Sequence, residues 1–311
     1  MKNIKNIKNI KNILIVGLGA IGGVYASKLY DMDPESIKVI AGGERAERYK
    51  KNGFLINEKH YGFTYIAPEE NCQPADLIIV SVKAHQLYDA IRDMKNHVGD
   101  NTIILSLLNG ITSEEIIGKG FGMDKVLYGM CVSIDANRND NKISFTNHGN
   151  INFGEKVNKE YSPKVRAVKE LFDRAGIDYT IPEDMMRALW WKFMINTGVN
   201  QCSAVLRARY NVFQTIVEAK EFMESTMWEV VRLSQKIGIN LNEEDIAKWY
   251  KILYSLNPNS RTSMLEDIEC GRKTEVEIFA GTVCELGEKY GVDTPVNNML
   301  LNMIKVIEKM Y

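Results

Sequence analysis

The chain has 311 residues, 45% of them hydrophobic and 25% charged, with a formal net charge of −1. That size holds one large or two medium domains, and the balance excludes both a disordered chain and one drawn by bulk charge to nucleic acid or an anionic membrane. No apolar run reaches the length of a membrane span, and five scattered cysteines with no C-x-x-C or zinc spacing point to reduced thiols in a cytoplasmic protein without a metal site.

The first element in chain order is a low-complexity tract, in which "KNI" occurs four times in succession from Lys2 to Ile13. A period of three fits neither strand nor helix, so residues 1–10 are expected to be a frayed extension. The tract is basic but lacks the hydrophobic centre of a secretory signal. From there apolar strands and helical stretches alternate. Ile13–Val16 reads as a buried strand, Ala20–Tyr30 as a helix and "IKVIA" as a second strand. "ADLIIVSVK" and "NTIILSLLNG" read as two more strands with the helical "HQLYDAIRDMKN" between them, and "KVLYGMCVSID" as a further one. Strands alternating with helices imply a mostly parallel sheet covered on both faces. "KISFTN" and "NINFGE" then read as a hairpin-like pair. From Pro182 the period is helical, with long amphipathic stretches at Glu183–Ala208, Phe213–Ile237, Glu243–Ser255 and Ser263–Tyr290. The expected organisation is therefore α/β: a Rossmann-type doubly wound domain over residues 11–181, followed by an all-α domain over residues 182–311. Pro182 suits the first turn of a helix.

Two patterns carry chemistry. In "ILIVGLGAIGG" the glycines Gly17, Gly19 and Gly22 follow a strand and open a helix, with Leu18, Ala20 and Ile21 between them. This is the dinucleotide arrangement: a tight turn, a close backbone approach to the pyrophosphate, close helix–strand packing, and a helix N-terminus facing negative charge. An NAD site usually places an acid after the second strand, but here Ala41, Gly42 and Gly43 occupy that region and Arg45 and Arg48 follow. A missing acid beside arginine favours a 2′-phosphate, hence NADP, although a small loop shift could bring Glu44 to the ribose. The second pattern is "LWWKFMINTGVN", where Lys192, Asn196 and Asn200 recur every four residues in an otherwise apolar stretch. On a helix they form one polar stripe. Buried amides and a buried ammonium need partners, so the stripe either meets other polar side chains or lines a cavity, and three polar residues in line favour the wall of a cleft.

The chain resembles the ketopantoate reductases (2-dehydropantoate 2-reductases). The resemblance runs from about Lys11 to the C-terminus on five motifs in order: "GLGAIGG", "SVKAHQ", "LLNG", "WKFMINTGVN" and "TSMLEDIECGRKTEVE". It implies a Rossmann domain followed by a helical domain, and NADPH-dependent reduction of 2-dehydropantoate to pantoate on the route to pantothenate and coenzyme A. By the same resemblance Lys192 is the proton donor, while Asn196, Asn200 and Ser263 bind substrate. Lys83 and Asn109 flank the nicotinamide end of the cofactor, with Asn109 also touching substrate, and Glu275 contacts the cofactor. Ser263 with Glu266 also reads as a capping box. Ser263 and Glu275 lie about 18 Å apart on an unbroken helix, so they reach one small group only if the helix bends near Gly271. The family often has an arginine directly after the second strand, where this chain has Gly42, with Arg45 three residues on. The alternatives are a reductase of another 2-oxo acid and a non-catalytic NADP-binding regulatory protein. The expected partner is a small 2-oxo acid, with no nucleic acid or membrane. An apolar face of the helical domain is open either to a homodimer or to internal packing.

Overall fold

The computed structural model describes residues 9–310. They divide into two compact units, one ending at Met185 and the other beginning at Met186. The extension expected over residues 1–10 lies mostly outside the described residues. Ile10 does not belong to an extension: it is buried in the core, and Arg174 donates to its carbonyl at 3.1 Å.

The strands of the first unit are, in chain order, β1 (Ile13–Val16), β2 (Ile37–Ile40), β3 (Phe54–Ile56), β4 (Lys59–Tyr61), β5 (Thr64–Ile66) and β6 (Leu77–Val80). They continue with β7 (Ile103–Ser106), β8 (Val126–Ile134), β9 (Asn137–Asn139), β10 (Lys142–Ser144), β11 (His148–Gly154) and β12 (Tyr179–Thr180). Eight of them form one sheet in the order β12-β11-β8-β7-β6-β1-β2-β5, parallel from β8 to β5, with β11 antiparallel to β8. Successive residues of a strand point to opposite faces. Here both faces are covered: Ile13 and Ile15 enter one core cluster, with the helices Ala20–Met32 and Pro163–Ala175, and Leu14 and Val16 enter the other, with Leu87 and Ile117. That is why these strands read as unbroken apolar runs rather than alternating ones. Each buried Ile or Leu side chain contributes roughly 2 kcal/mol before entropy is counted.

The expected hairpin of "KISFTN" with "NINFGE" does not form. β10 joins a second, four-stranded sheet in the order β4-β3-β10-β9, while β11 pairs with β8. The nine-residue β8 offers β11 an antiparallel register from Tyr128 to Ile134, interrupted only at Ser133. β10 instead places Ile143 over the glycine-bearing face of the helix Ala20–Met32.

The second unit is helical, though its boundaries differ from the periodicity. The first helix starts at Met185, so Pro182 is not in its first turn; the Pro182 carbonyl accepts from the Asn158 amide at 2.7 Å. The expected helix Phe213–Ile237 is two helices, Tyr210–Thr215 and Val217–Lys236. Ser263–Tyr290 is not continuous either: a helix runs from Ser263 to Glu269, Gly271 takes φ +61°, and a wide turn at Glu277–Gly281 leads into Thr282–Tyr290. A terminal helix, Pro295–Glu308, lies beyond the named amphipathic stretches but within the expected all-α domain. Among the described residues no helix is long and apolar enough to cross a membrane.

One buried acid lies close to a strand end of the main sheet. Glu114, in the first turn of the helix Ser113–Phe121, is 1% exposed, accepts from Ser113 Oγ and Gly129 N, and has its pKa pushed up to about 7 by burial. Because the folded value lies above the unfolded one, the unfolded chain ionises first, and stability falls as pH rises from about 4.5 to about 7 and is flat above. We expect Glu114→Gln, which keeps an acceptor, to raise Tm relative to the parent by more at pH 8 than at pH 5. An equal shift at both pH values would refute this. The difference corresponds to a few kcal/mol at most, on the order of 1.4 kcal/mol per pKa unit.

Candidate active site

The glycine loop connects β1 to the helix Ala20–Met32. Gly17 has φ +100°, and a Cβ on Gly22 would collide with the Gly17 carbonyl oxygen and the Ser81 hydroxyl. Ser81 Oγ donates to that carbonyl at 2.8 Å, fixing the loop to the end of β6. Gly19 is different, since a Cβ there would come no closer than 3.6 Å to any protein atom. Its missing side chain therefore leaves room for something other than the protein. The helix that follows has no side-chain cap and no acid in its first turn, so its leading N–H groups suit an anion. These features fit a dinucleotide pyrophosphate.

Lys83 follows the C-terminal end of β6 and is half-buried, and Asn109 follows that of β7, also half-buried, beside Gly110 at φ +88°. Since β7, β6 and β1 are neighbours in the sheet, the glycine loop, Lys83 and Asn109 share one sheet edge. β2 lies on one side of β1 and β6 on the other, so the chain changes direction there, and such a switch point is where α/β sheets bind ligands. Arg45 lies on the helix Gly43–Asn52, and its guanidinium pairs with Asp93 at 2.8 Å.

The second cluster lies in the helical unit. Lys192 is half-buried on the helix Met185–Ile195, which leads without a break into a wide (i→i+5) turn, Asn196–Asn200, and then into the helix Gln201–Leu206. A wide turn takes more residues per revolution, so Asn200 falls more nearly beneath Asn196 than an α-helix would allow. Asn196 is half-buried and Asn200 is buried. Trp191 and Arg187 hold the helix to Glu243–Leu253: the indole donates to the Asp245 carbonyl at 3.1 Å, and the guanidinium pairs with the buried Asp245 carboxylate at 2.7 Å.

Ser263 is exposed, at the first position of its helix. The capping box expected at Ser263 does not form; the cap is Thr262, whose hydroxyl accepts from Leu265 N and donates to Ser203 Oγ. Ser263 is thereby released from the capping role. Its helix packs against Gln201–Leu206 and the Asn196–Asn200 turn. Glu275 is 7% exposed and lies just before the second wide turn, Glu277–Gly281, which also packs on Asn196–Asn200. The break at Gly271 thus brings both the Ser263 and Glu275 segments to the same turn, which a straight helix could not do.

The sequence reading missed Gln201. Fully buried, it donates to the Thr197 carbonyl at 2.7 Å and to Asn297 Oδ1 at 3.3 Å, and accepts from Ala280 N at 3.0 Å, so one amide joins the two wide turns. A fourth polar residue directly after "NTGVN" was the available signal.

Known proteins match this arrangement along its length. The family model described as ketopantoate reductase PanE/ApbA matches residues 13–158, and that of the PanE/ApbA C-terminal domain matches residues 184–308. The chain belongs to the ketopantoate reductase family. A 2-dehydropantoate 2-reductase of Aquifex aeolicus is 27% identical over 300 residues, covering 95% of this chain and 96% of the relative. Among solved structures, D-mandelate dehydrogenase with NADH and anilino(oxo)acetate superposes with a TM-score of 0.85 at 24% identity, covering 96% of this chain and 99% of that one. Dimeric ketopantoate reductase from Staphylococcus aureus gives 0.82 at 19% identity, covering 96% and 99%. As a member of its family the chain is an NADP-dependent oxidoreductase acting on a C=O/CH–OH pair.

We expect Gln201→Leu to lower unfolding free energy by on the order of 3 kcal/mol in urea titration, because it strands the Ala280 N–H and leaves the Thr197 and Asn297 oxygens without this donor. A loss under about 1 kcal/mol would show that the amide is not the tie between the turns.

Proposed function

We propose that this reductase converts 2-dehydropantoate to pantoate in the cytoplasm, with Lys192 as proton donor. The observation that carries the reading is the recurrence of Lys192, Asn196 and Asn200 along a continuous helical segment that is otherwise largely buried, with the two amides at the ends of a wide turn. The loop Gly17–Gly22, with Lys83 and Asn109 at the same sheet edge, and Glu275 would hold NADPH, which when bound would supply the hydride. As negative charge builds on the substrate's carbonyl oxygen, the Lys192 ammonium stabilises it and gives up a proton to it, which yields the alcohol. Asn196, Asn200 and Ser263 bind the substrate's carboxylate and hydroxyl groups through neutral donors, and Asn109 positions the reacting end. Domain assignments follow the same reading: cofactor on residues 11–181, substrate and catalysis on residues 182–311. The 27% identity to a named 2-dehydropantoate 2-reductase over nearly the whole chain supports the substrate.

Two experiments test this. NADPH oxidation followed by absorbance should be fastest with 2-dehydropantoate among a panel of 2-oxo acids; a faster member would reassign the substrate, and no oxidation with any of them despite tight NADPH binding would end the enzymatic reading. Lys192→Ala should lower kcat by about 100-fold or more while NADPH affinity stays within about twofold. Near-normal turnover would remove Lys192 from the acid role.

A further inference from the structure

Arg138 lies in β9, in the small sheet, and no motif singles it out. Its Nη1 donates to the carbonyl of Leu18, inside the glycine loop, and its Nε donates to the Asp140 carbonyl at 2.5 Å. The guanidinium carbon lies 5.3 Å from the centroid of the buried Phe54 ring and 6.0 Å from that of Tyr49 on the helix Gly43–Asn52. The side chain is half-buried, and among the described residues no carboxylate pairs with it and its Nη2 group meets no acceptor. A guanidinium has five N–H donors in a planar fork, a geometry that matches phosphate oxygens. Holding that charge half out of water with no counter-ion costs free energy that an anion would return. Arg45, the cation that the sequence offers for a 2′-phosphate, differs in already having a carboxylate partner, Asp93 at 2.8 Å.

We propose that Arg138, not Arg45, is the phosphate-binding arginine of the cofactor site: anchored on the loop by the Leu18 carbonyl and held flat by Phe54, it presents its remaining donors to a phosphate of the dinucleotide. The inference rests on the reading that Gly17–Gly22 holds the cofactor. Charge, rather than hydrogen bonding alone, is the contribution, which separates this role from that of a simple loop brace.

The test is calorimetric titration of the full chain with NADPH, NADH, 2′,5′-ADP and 5′-AMP, without substrate. Three variants are compared: Arg138→Gln, which can still donate to the Leu18 carbonyl but has no charge; Arg138→Lys, which keeps the charge; and Arg45→Gln. Arg138→Gln should weaken NADPH binding at least about tenfold, Arg138→Lys should recover most of it, and Arg45→Gln should stay within about twofold. Loss confined to NADPH and 2′,5′-ADP identifies the 2′-phosphate; loss shared by NADH identifies the pyrophosphate. Unchanged binding in Arg138→Gln overturns the proposal, as does an equal loss in the Gln and Lys variants or a larger loss in Arg45→Gln. If the unaltered chain binds neither dinucleotide, the cofactor reading of the loop falls, and this inference with it.

Discussion

A buried amide must find every partner inside the protein, and Gln201 does so by tying together two wide helical turns. The consequence reaches beyond one hydrogen-bond set. A wide turn leaves main-chain groups out of the regular helical ladder, and such turns are tolerated where something else engages the backbone. Here one side chain supplies a donor to Thr197 and an acceptor to Ala280, so each turn depends on the residue that also holds the other. Asn297 closes the network: its side chain accepts from Gln201 and donates to Glu229, whose buried carboxylate also takes the Val296 and Asn297 N–H groups at the start of the terminal helix. The polar stripe therefore stands on a hydrogen-bonded polar base rather than on a compliant apolar one. A fixed base matters for groups that must meet a substrate with little reorganisation.

The first unit solves a different problem with the same economy of parts. A parallel sheet buried on both faces sends its connections over the same edge, so loops distant in sequence arrive side by side. Gly17, Ser81 and Asn109 are brought together this way, and Ser81 bonds directly to the glycine loop. Arg138 reaches the loop by another route, from β9 at the edge of the small sheet. Its cation contacts the loop backbone, while Arg45, closer in sequence to the second strand, pairs with Asp93. Proximity along the chain and electrostatic availability thus point to different arginines.

What could be read beforehand follows from where each signal is stored. The strands β1, β2, β6, β7 and β8 were legible because double-sided burial writes itself as largely apolar runs, and the glycine loop because its turn demands glycine; β5, three residues at the sheet edge, was not. The stripe was legible because its spacing is local. The small sheet was not, because β3, β9 and β10 are three residues each and Leu55 pairs with Lys142 far along the chain. The break after Glu269 was missed as an element boundary because the apolar period resumes beyond Gly271; only the αL conformation at Gly271 ends the helix. The cap shifted from Ser263 to Thr262 because both residues can cap, and tertiary contact with Ser203 selects the one that is buried. Arg138 sits in "NRND", which reads as an ordinary polar turn until its guanidinium is traced to Leu18.

On the assignment proposed above, one cation and two amides make a better arrangement than two cations. A second positive charge on the substrate's carboxylate would bind ground state and transition state alike, adding affinity without adding rate. Neutral donors such as Asn196, Asn200 and Ser263 can hold that carboxylate while leaving Lys192 as the one charge that gains in the transition state, when the carbonyl oxygen becomes an alkoxide. Two adjacent ammonium groups would also lower each other's proton affinity and blur which one delivers the proton. On the proposed assignment, the sparing use of charge on this helix is therefore part of the mechanism, and the work of recognising a particular 2-oxo acid falls to shape and hydrogen bonding around a fixed lysine.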